Sequence, residues 1–497
     1  MITLISLYSD ITSYPVRILS AYLRSKGLKS RLIFLPEAEH LNFQTPTDPR
    51  YPYDDKTINQ LIGLCSGSSL IGISLLSSNF PHAVYLTKRI KEKLDIPVAW
   101  GGKHPSAKPG DSLSYADMVC VGEGEEALVE LLEKIEGGED YRSTQNMWFK
   151  QDGALIKNPK RRLLQNLDLL PFPDYSYDEH YIREIGTNKI VPLTPGIFKE
   201  YLLPESPVNL LPYETLFSRG CPYSCTYCYS FKGIYEGERY LRFRSIENTM
   251  QELELMKARL GHIQMIWFLD DNIFILPIEK IKEFCQHYKQ RIGLPMSFAG
   301  HPLNISEEKL AYFTEAGMKG IHMGVQSGSK RIQGLYKRQM PEEKILEAVY
   351  AINRFKDALV PVYDFITDNP YETNEDIIDS IKLALKFPKP RRIQVFSLMF
   401  FPGTELRVQA QQEGLISKDD ENNIYNLDFG SFHTRKKKYL NFVFLLFNRN
   451  APNFIIKMLI NRHLVGLLDR PVINEILFGI IVFLNWIRER IKRRRNK

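Results

Sequence analysis

The stretch Glu214-Thr-Leu-Phe-Ser-Arg-Gly-Cys-Pro-Tyr-Ser-Cys-Thr-Tyr-Cys228 decides how this chain is read. Its first five residues predict a strand. Directly after it, Cys221, Cys225 and Cys228 stand in a C-x3-C-x2-C spacing. Three thiolates on one short loop can hold three irons of a [4Fe–4S] cluster and leave the fourth iron open to an outside ligand. Zinc is the plain alternative, but structural zinc takes four closed ligands, and no fourth Cys or His stands nearby. The other cysteines, Cys65, Cys120 and Cys285, are isolated in apolar segments and read as buried hydrophobes. Six cysteines in 497 residues are too few for a disulfide scaffold, and the triplet suggests metal ligands in a reducing compartment.

Outward from that loop, apolar runs alternate with helical patterns. Strands are expected at Glu214–Ser218, Met265–Leu269, Met296–Ala299, Gly320–Gly324, Val360–Ile366 and Ile393–Phe400. Helices are expected at Ile246–Leu260, Pro277–Gln290, Ser306–Ala316, Pro341–Lys356 and Asn374–Lys386. Six βα units fall short of a full eightfold barrel and predict a partial (β/α)6, TIM-like barrel over 214–430, with its site at the C-terminal strand ends. Upstream, strands at Ile2–Tyr8, Arg31–Leu35, Leu70–Leu76, Val98–Trp100 and Met118–Val121 alternate with helices at Pro15–Lys26, His82–Leu94 and Glu125–Ile135. That pattern predicts an α/β domain over 1–140, a Rossmann-like, doubly wound parallel sheet with ligands beyond its carboxyl strand ends. Residues 141–213, rich in proline, are expected to form a small excursion and linker, and 431–497 a basic helical extension.

The cysteine loop, with Tyr227 before its third cysteine, resembles the signature of radical S-adenosylmethionine (SAM) enzymes. The resemblance implies that the open iron chelates the amino and carboxylate groups of SAM, that reductive cleavage gives a 5′-deoxyadenosyl radical, and that Tyr227 borders the adenine. Phe268-Leu-Asp-Asp-Asn272 resembles the family's second strand-end motif and implies that Asp270 and Asp271 lie near the SAM amino group; the plain alternative is a loop with a helix N-cap. Gly324-Val-Gln-Ser-Gly328 resembles the fourth-strand motif, implying Gln326 and Ser327 near the SAM ribose and carboxylate. Phe401-Pro-Gly-Thr404 matches the turn that follows the sixth strand. One departure stands out. Where the family often reads F-I-I-G-x-P-G-E-T, this chain has Phe365-Ile-Thr-Asp-Asn-Pro-Tyr-Glu-Thr373, with Asp368 and Tyr371 in place of two glycines.

Upstream, Leu70-Ile-Gly-Ile-Ser-Leu-Leu-Ser-Ser-Asn79, Trp100-Gly-Gly-Lys-His-Pro-Ser106 and Val121-Gly-Glu-Gly-Glu125 each follow an expected strand. Glycines and small hydroxyls there let backbone N–H groups approach a large ligand. As an ordered set, followed by Asn166-Leu-Asp-Leu-Leu-Pro-Phe-Pro-Asp174, they look like the cobalamin (B12)-binding domain that precedes many radical SAM domains. The resemblance implies that Ser74, Ser77, Ser78, Gly101, Gly102, His104, Gly122 and Glu123 wall the corrin. The Asp-x-His-x-x-Gly that ligates cobalt from below is missing; Ser9-Asp-Ile-Thr-Ser-Tyr14 stands there, which implies a base-off corrin without a histidine ligand. A weaker lower ligand favours handing over methyl as a radical. A domain that keeps the fold and binds no corrin is the alternative.

The family implies three cofactors, a [4Fe–4S] cluster, SAM and cobalamin, and an electron donor such as flavodoxin or ferredoxin. The implied reaction is methyl transfer to an unactivated carbon: the deoxyadenosyl radical abstracts hydrogen, the carbon radical takes methyl from methylcobalamin, and a second SAM remethylates the corrin. The rival within the family is cobalamin-dependent cyclisation or oxidative rearrangement; a rival of another class is a non-catalytic cobalamin or Fe–S sensor. A methylthiotransferase is disfavoured, since Cys65 and Cys120 cannot supply a second three-cysteine cluster.

The formal net charge of +7, taken as one number, suggests a nucleic-acid partner, but its distribution argues for none. Residues 435–497 carry 15 Lys and Arg against 3 acidic residues, so the excess belongs to the tail and the body is mildly acidic. The tail's basic residues lack regularly interleaved aromatics. Its apolar runs Leu440–Phe447 and Ile476–Leu484 are too short to span a bilayer. With Trp486 and flanking basic clusters they suit either an interfacial helix on anionic lipid or a helix packing on the barrel with a solvated cationic end. The start MITLISLYSD has no basic n-region or long apolar h-region, so no signal peptide is expected. The expected location is cytoplasmic, with contact at the inner membrane face open, and the expected substrate is a small molecule, lipid-like if the tail meets lipid.

Overall fold

A computed structural model describes residues 1–8, 11–36, 53–205, 208–416 and 438–480. Ser9 and Asp10, Arg435–Lys437, Ile481–Leu484, Trp486 and 488–497 therefore lie outside the described residues. The chain divides into two compact units. The first gathers Met1–Asp271, Gln286–Met296 and Met399–Ser431; the second gathers Asn272–Cys285, Ser297–Leu398 and Phe432–Lys497.

The first unit is built on a nine-stranded sheet. Its strands are β1 (Ile2–Ser6), β2 (Ser30–Phe34), β3 (Leu70–Ser74), β4 (Val98–Gly101), β5 (Met118–Cys120), β6 (Met147–Gln151), β7 (Ala154–Lys157), β8 (His180–Glu184) and β9 (Lys189–Pro192), in the order β7-β6-β5-β4-β3-β1-β2-β8-β9. The run β5-β4-β3-β1-β2-β8 is parallel throughout. All five residues of β1 and of β3 are buried, which is why both read as unbroken apolar runs rather than alternating ones. Helices α1 (Tyr14–Ser25), α2 (Asp55–Cys65), α3 (Phe80–Lys91), α4 (Lys103–Ala107), α5 (Pro109–Ser112), α6 (Glu125–Gly137) and α7 (Pro195–Tyr201) supply the connections. Helix α1 has Pro15 in its first turn, and Gly27, at φ 78°, follows its end. Asp54 caps α2 by accepting from the Thr57 N–H at 2.8 Å.

The stretch 141–213 departs from the expected excursion and linker. It contributes β6 and β7, an antiparallel hairpin on one edge of the sheet, and β8 and β9, a hairpin on the other. The turn between β6 and β7 is Asp152-Gly153, both at positive φ, a hairpin signal that the surrounding prolines obscured.

A second, six-stranded sheet has the order β10-β13-β14-β15-β16-β17, with β10 (Pro212–Thr215), β13 (Met265–Phe268), β14 (Met296–Gly300), β15 (Met318–Gln326), β16 (Val360–Thr367) and β17 (Arg392–Ser397). Strands β11 (Ser218–Arg219) and β12 (Arg242–Phe243) form a separate antiparallel ribbon. Helices α8 (Ile246–Arg259), α9 (Ile278–Arg291), α10 (Glu307–Glu315), α11 (Lys330–Leu335), α12 (Glu342–Arg354), α13 (Asn374–Leu385) and α14 (Glu405–Gln412) intervene, as a partial (β/α)6 barrel requires. Ser245, Ser306 and Thr404 each cap the following helix through a side-chain oxygen.

In the second unit the run Leu440–Phe447 opens as helix α15 (Tyr439–Leu445). Leu440, Val443, Phe444 and Phe447 are buried, and the Phe444 ring lies 5.4 Å from that of Phe365 on β16. Of the two readings of this run, packing on the barrel is therefore the one observed. Among the described residues no helix is long and apolar enough to cross a membrane.

Candidate cofactor site and cysteine loop

In the first sheet the order reverses at β1, which has β2 on one side and β3 on the other. Such a switch point leaves a crevice beyond the carboxyl strand ends, where doubly wound sheets bind ligands. A cavity of about 440 Å³ lies there. Its rim comes from residues at or just past four strand ends: Tyr8 after β1, Ser74 of β3, Gly101, Gly102 and Lys103 at β4, and Gly122, Glu123, Gly124 and Glu125 after β5. Its floor is Leu4, Gly72, Ala99 and Cys120 of the sheet, flanked by Pro15 and Leu19 of α1 and Leu128 of α6. The cavity continues to Ser218, Arg219 and Gly220, at the entry to the cysteine loop, and to Asp271.

Glycines let the walls of this space pack closely. A Cβ on Gly72 would stand 2.8 Å from the Leu4 side chain, and one on Gly122 would stand 2.1 Å from the Tyr235 hydroxyl. Gly122 is also at φ 94°, where L side chains are strained.

Five of the eight residues expected to wall the corrin therefore line the cavity: Ser74, Gly101, Gly102, Gly122 and Glu123. Ser77, Ser78 and His104 are not among its lining residues. They are buried behind the rim, where the His104 Nδ1 and Ser77 Oγ are hydrogen-bonded at 3.0 Å and the imidazole lies 4.7 Å from the Phe80 ring. Sequence spacing placed them past strand ends but could not show that a short 3-10 turn at Ser77–Asn79 and helix α4 tuck them inward.

Burial pushes the His104 imidazole down to about 4, with Asp111 opposing and Lys108 and Arg407 adding to the fall. The sign follows. The unfolded chain takes up this proton near its ordinary value, about 6.5, and the folded chain only near 4, so stability holds above about 6.5 and falls as the pH drops between those values. The loss for this group is about 3 kcal/mol. Denaturant unfolding at stepped pH should show that decline, and His104→Gln should flatten it; an unchanged slope in the variant would contradict the assignment.

The cysteine loop is held from several sides. Asp270, at the end of β13, accepts from the Phe217 N–H at 2.9 Å, from the Ser218 N–H at 2.5 Å and from the Ser218 hydroxyl. Burial pushes this carboxyl up to about 6 against those donors. Asp270 thus fixes the backbone leading into the loop, whereas Asp271 faces the cavity. Gly220, just before Cys221, has φ 95°, and a Cβ there would meet the Tyr240 carbonyl oxygen at 2.5 Å. On the far side, Leu406 N–H donates to the Thr226 carbonyl at 2.9 Å, and Phe401 stacks on Tyr229 with centroids 6.0 Å apart. The turn Phe401–Thr404 therefore packs on the loop, with Gly403 close against Ala107. Tyr227 is half-buried within the loop.

Cys228 is the most open of the three cysteines, yet the atoms packed around its sulfur push the thiol up to about 12 by desolvation, followed by the charge of Asp271, with Lys103 opposing; Cys225 and Cys221 add to the rise. The three sulfurs are close enough to act on one another's charge. A bound cation replaces such protons. Among the described residues, no three His, Cys, Asp or Glu side chains are grouped to hold one metal ion. A cluster takes one thiolate per iron, whereas a tetrahedral zinc takes four converging ligands, so three neighbouring thiols without a fourth donor fit the cluster. Cys65, Cys120 and Cys285 are buried, and desolvation pushes each thiol up to about 12.

The sequence did not reveal a buried ionic network at the base of the loop. Glu123 accepts from Arg242 through both carboxylate oxygens, at 2.6 and 3.1 Å, and lies 3.5 Å from Arg219, which also donates to Glu125 at 2.7 Å. Burial works against the charged Glu123 carboxylate, but the two guanidiniums outweigh it and hold its pKa below the usual range.

In the second unit, Gln326 closes β15 at φ 68°, and the β15–β16 register shifts between Gly324 and Gln326. A bulge with a left-handed glutamine re-aims a side chain at a strand end and is strained. Ser327 is fully buried; its hydroxyl accepts from the Ser329 N–H at 3.2 Å and lies 3.3 Å from the Ser380 hydroxyl. Asp368 stands at φ 61°, a conformation suited to the glycine it replaces, and its carboxylate is held by Ser397 and, at 2.8 Å, by Asn441.

Residues 215–384 match the family described as the Radical SAM superfamily, and residues 2–132 match the B12 binding domain. An uncharacterized methyltransferase of Pyrococcus horikoshii is 27% identical over 325 residues, covering 64% of this chain and 64% of that protein. The hopanoid C-2 methylase of Rhodopseudomonas palustris is 27% identical over 348 residues, covering 67% and 56%. The anaerobic magnesium-protoporphyrin IX monomethyl ester cyclase of Synechocystis is 21% identical over 365 residues, covering 70% and 65%. The chain thus spans less than two thirds of the length of each of these relatives. Among solved structures, the radical S-adenosylmethionine methyltransferase TsrM from Kitasatospora setae superposes with a TM-score of 0.63 at 15% identity, covering 83% of this chain and 76% of that one, a likeness of fold.

Proposed function

Because this chain belongs to the radical SAM enzymes that carry a B12-binding domain, with a [4Fe–4S] cluster, SAM and cobalamin as cofactors, we propose that it transfers a methyl group to an unactivated carbon of a small molecule. The observation that carries the reading is one continuous cavity in the first unit, which reaches from the glycine-rich strand ends of the B12-binding domain to the entry of the cysteine loop. Bound together, those cofactors supply a carbon-centred radical and a transferable methyl group.

The chain's own residues do the holding. Cys221, Cys225 and Cys228 hold the cluster. Tyr227, Asp271 and Gln326 are the proposed SAM contacts; Asp270 and Ser327 act behind them, Asp270 by fixing the Phe217–Ser218 backbone and Ser327 by anchoring the turn after β15. Gly101, Gly102 and Gly122 give close backbone approach to the corrin, and Ser74 offers a hydroxyl. The apolar floor of Leu4, Ala99, Leu19 and Leu128 keeps water from that face. Lys103, beside Asp271 and Cys228, puts a cation where an anionic group would otherwise be repelled. A flavodoxin- or ferredoxin-like protein is the proposed electron donor. Similarity to the hopanoid methylase makes a lipid-like substrate the favoured class, and the basic tail, from its sequence, would hold the enzyme at an anionic membrane face.

The cyclase match keeps ring formation as the second reading. One experiment separates the two. Anaerobic enzyme loaded with hydroxocobalamin is given a strong reductant and SAM labelled in its methyl group, with no substrate. Methyl transfer predicts S-adenosylhomocysteine in an amount matching the corrin, with the label in the corrin fraction. Label recovered as methionine in step with 5′-deoxyadenosine, with none in the corrin fraction, would favour the cyclase.

A further inference from the structure

The ribbon β11–β12 opens and closes the segment that carries the three cysteines, and it pairs Arg219 directly with Arg242. Like charges facing each other across two strands repel, and Arg242 is almost fully buried, so the pair needs an anion. The ribbon does not supply it. Glu123 does, from the loop after β5, binding Arg242 with both oxygens and approaching Arg219 with one. The same residue grips the segment again: its N–H donates to the Tyr235 hydroxyl at 2.8 Å, and Gly122 beside it leaves no room for a Cβ against that ring. Its carbonyl is in turn held by Asn146 Nδ2 at 2.8 Å. Yet Gly122, Glu123, Gly124 and Glu125 are also one wall of the cavity.

We propose that Glu123 is a positioning residue that latches the base of the cysteine loop to the cavity wall, so that a corrin in the cavity and the cluster on the cysteines stabilise each other. An occupant that fixes the β5–α6 loop fixes the carboxylate, and the carboxylate fixes Arg242 and, together with Glu125 at 2.7 Å, Arg219, which is separated from Cys221 only by Gly220. The coupling is reciprocal: whatever factor the corrin adds to cluster retention, the cluster adds to corrin affinity. The proposal rests on the cofactor reading above.

The test is the rate at which a ferrous chelator strips iron from anaerobically reconstituted full-length protein, with and without hydroxocobalamin, alongside the corrin absorbance and the cluster's EPR signal. Wild-type protein should release iron more slowly with corrin bound, and the EPR signal should shift on corrin binding. Glu123→Gln should release iron about 10-fold faster, the usual scale for losing an outer partner of a metal site, and should lose the corrin dependence of both readouts. Glu123→Asp should recover part of each, and Arg242→Lys, which keeps the charge but not the two-pronged geometry, should fall between wild type and Glu123→Gln. If wild type takes up both cofactors while Glu123→Gln and Arg242→Lys keep the wild-type corrin protection, the latch is overturned alone. If wild type takes up no iron cluster or no corrin, the cofactor reading falls and the latch with it.

Discussion

Protein with Cys221, Cys225 and Cys228 all changed to alanine should emerge from anaerobic reconstitution without cluster iron, against about four irons per chain for wild type, and should make no 5′-deoxyadenosine from SAM and dithionite. The three thiols share one loop, and no other grouping of Cys, His, Asp or Glu among the described residues could take over. Each single replacement should also abolish turnover, because a cluster short of one thiolate leaves a second iron open. The fold should survive: the loop is a surface excursion closed by the β11–β12 ribbon, and the buried cysteines of the core, Cys65, Cys120 and Cys285, are untouched. Near-wild-type circular dichroism with no iron and no 5′-deoxyadenosine is the expected pattern. Iron retained by the triple variant would mean that the ligands are elsewhere.

The largest effect on stability should come from Arg244→Met. Arg244 and Glu252 form a buried pair at 2.7 Å, and the Glu252 carboxylate also accepts from the Tyr213 hydroxyl at 2.9 Å and the Thr215 hydroxyl at 2.6 Å. Arg244 in turn donates to the Leu216 carbonyl at 3.1 Å, just before the cysteine loop. Removing the cation strands a carboxylate that is 1% exposed, which costs about 3–5 kcal/mol. The double variant Arg244→Met/Glu252→Met should regain most of that, since replacing both partners leaves no buried charge. Denaturant midpoints measure both. A single variant within about 0.5 kcal/mol of wild type would show that the pair is not load-carrying for the fold.

Much of this was legible in the sequence because the signals were local. β1 and β3 announce themselves as apolar runs, α8 and α13 as amphipathic periods behind a capping serine or threonine, and the cluster loop as a spacing. Ser74, Gly101, Gly102 and Gly122 could be placed at a ligand crevice because a parallel sheet sends each strand's following loop to the same edge. Other features depend on residues far apart in the chain. Glu123 and Arg242 are separated by 119 positions, so no window of sequence shows that the expected corrin contact is an arginine counter-ion. Helix α2 left a weaker trace, Ile58, Leu61 and Cys65 at helical spacing, and the edge hairpins were masked by prolines around a clear Asp152-Gly153 turn. His104 and Ser77 share the rim motif's composition but turn inward, which only packing decides. Ser327 looked like a ligand contact by motif and is instead buried beside Ser380. Asp368 departs from the family's glycine yet keeps the glycine's backbone conformation, at the cost of a buried carboxylate that Ser397 and Asn441 satisfy. In the tail, Leu440–Phe447 reads alike for lipid or for core, and the burial of Phe444 against Phe365 decides it.

The central claim is that one chain carries a three-cysteine cluster and a corrin. The most direct measurement is elemental and corrin analysis of a single anaerobically reconstituted, desalted sample. It should contain about four irons and four sulfides per chain, together with a corrin absorbance that survives desalting. One zinc per chain and no retained corrin would contradict the account.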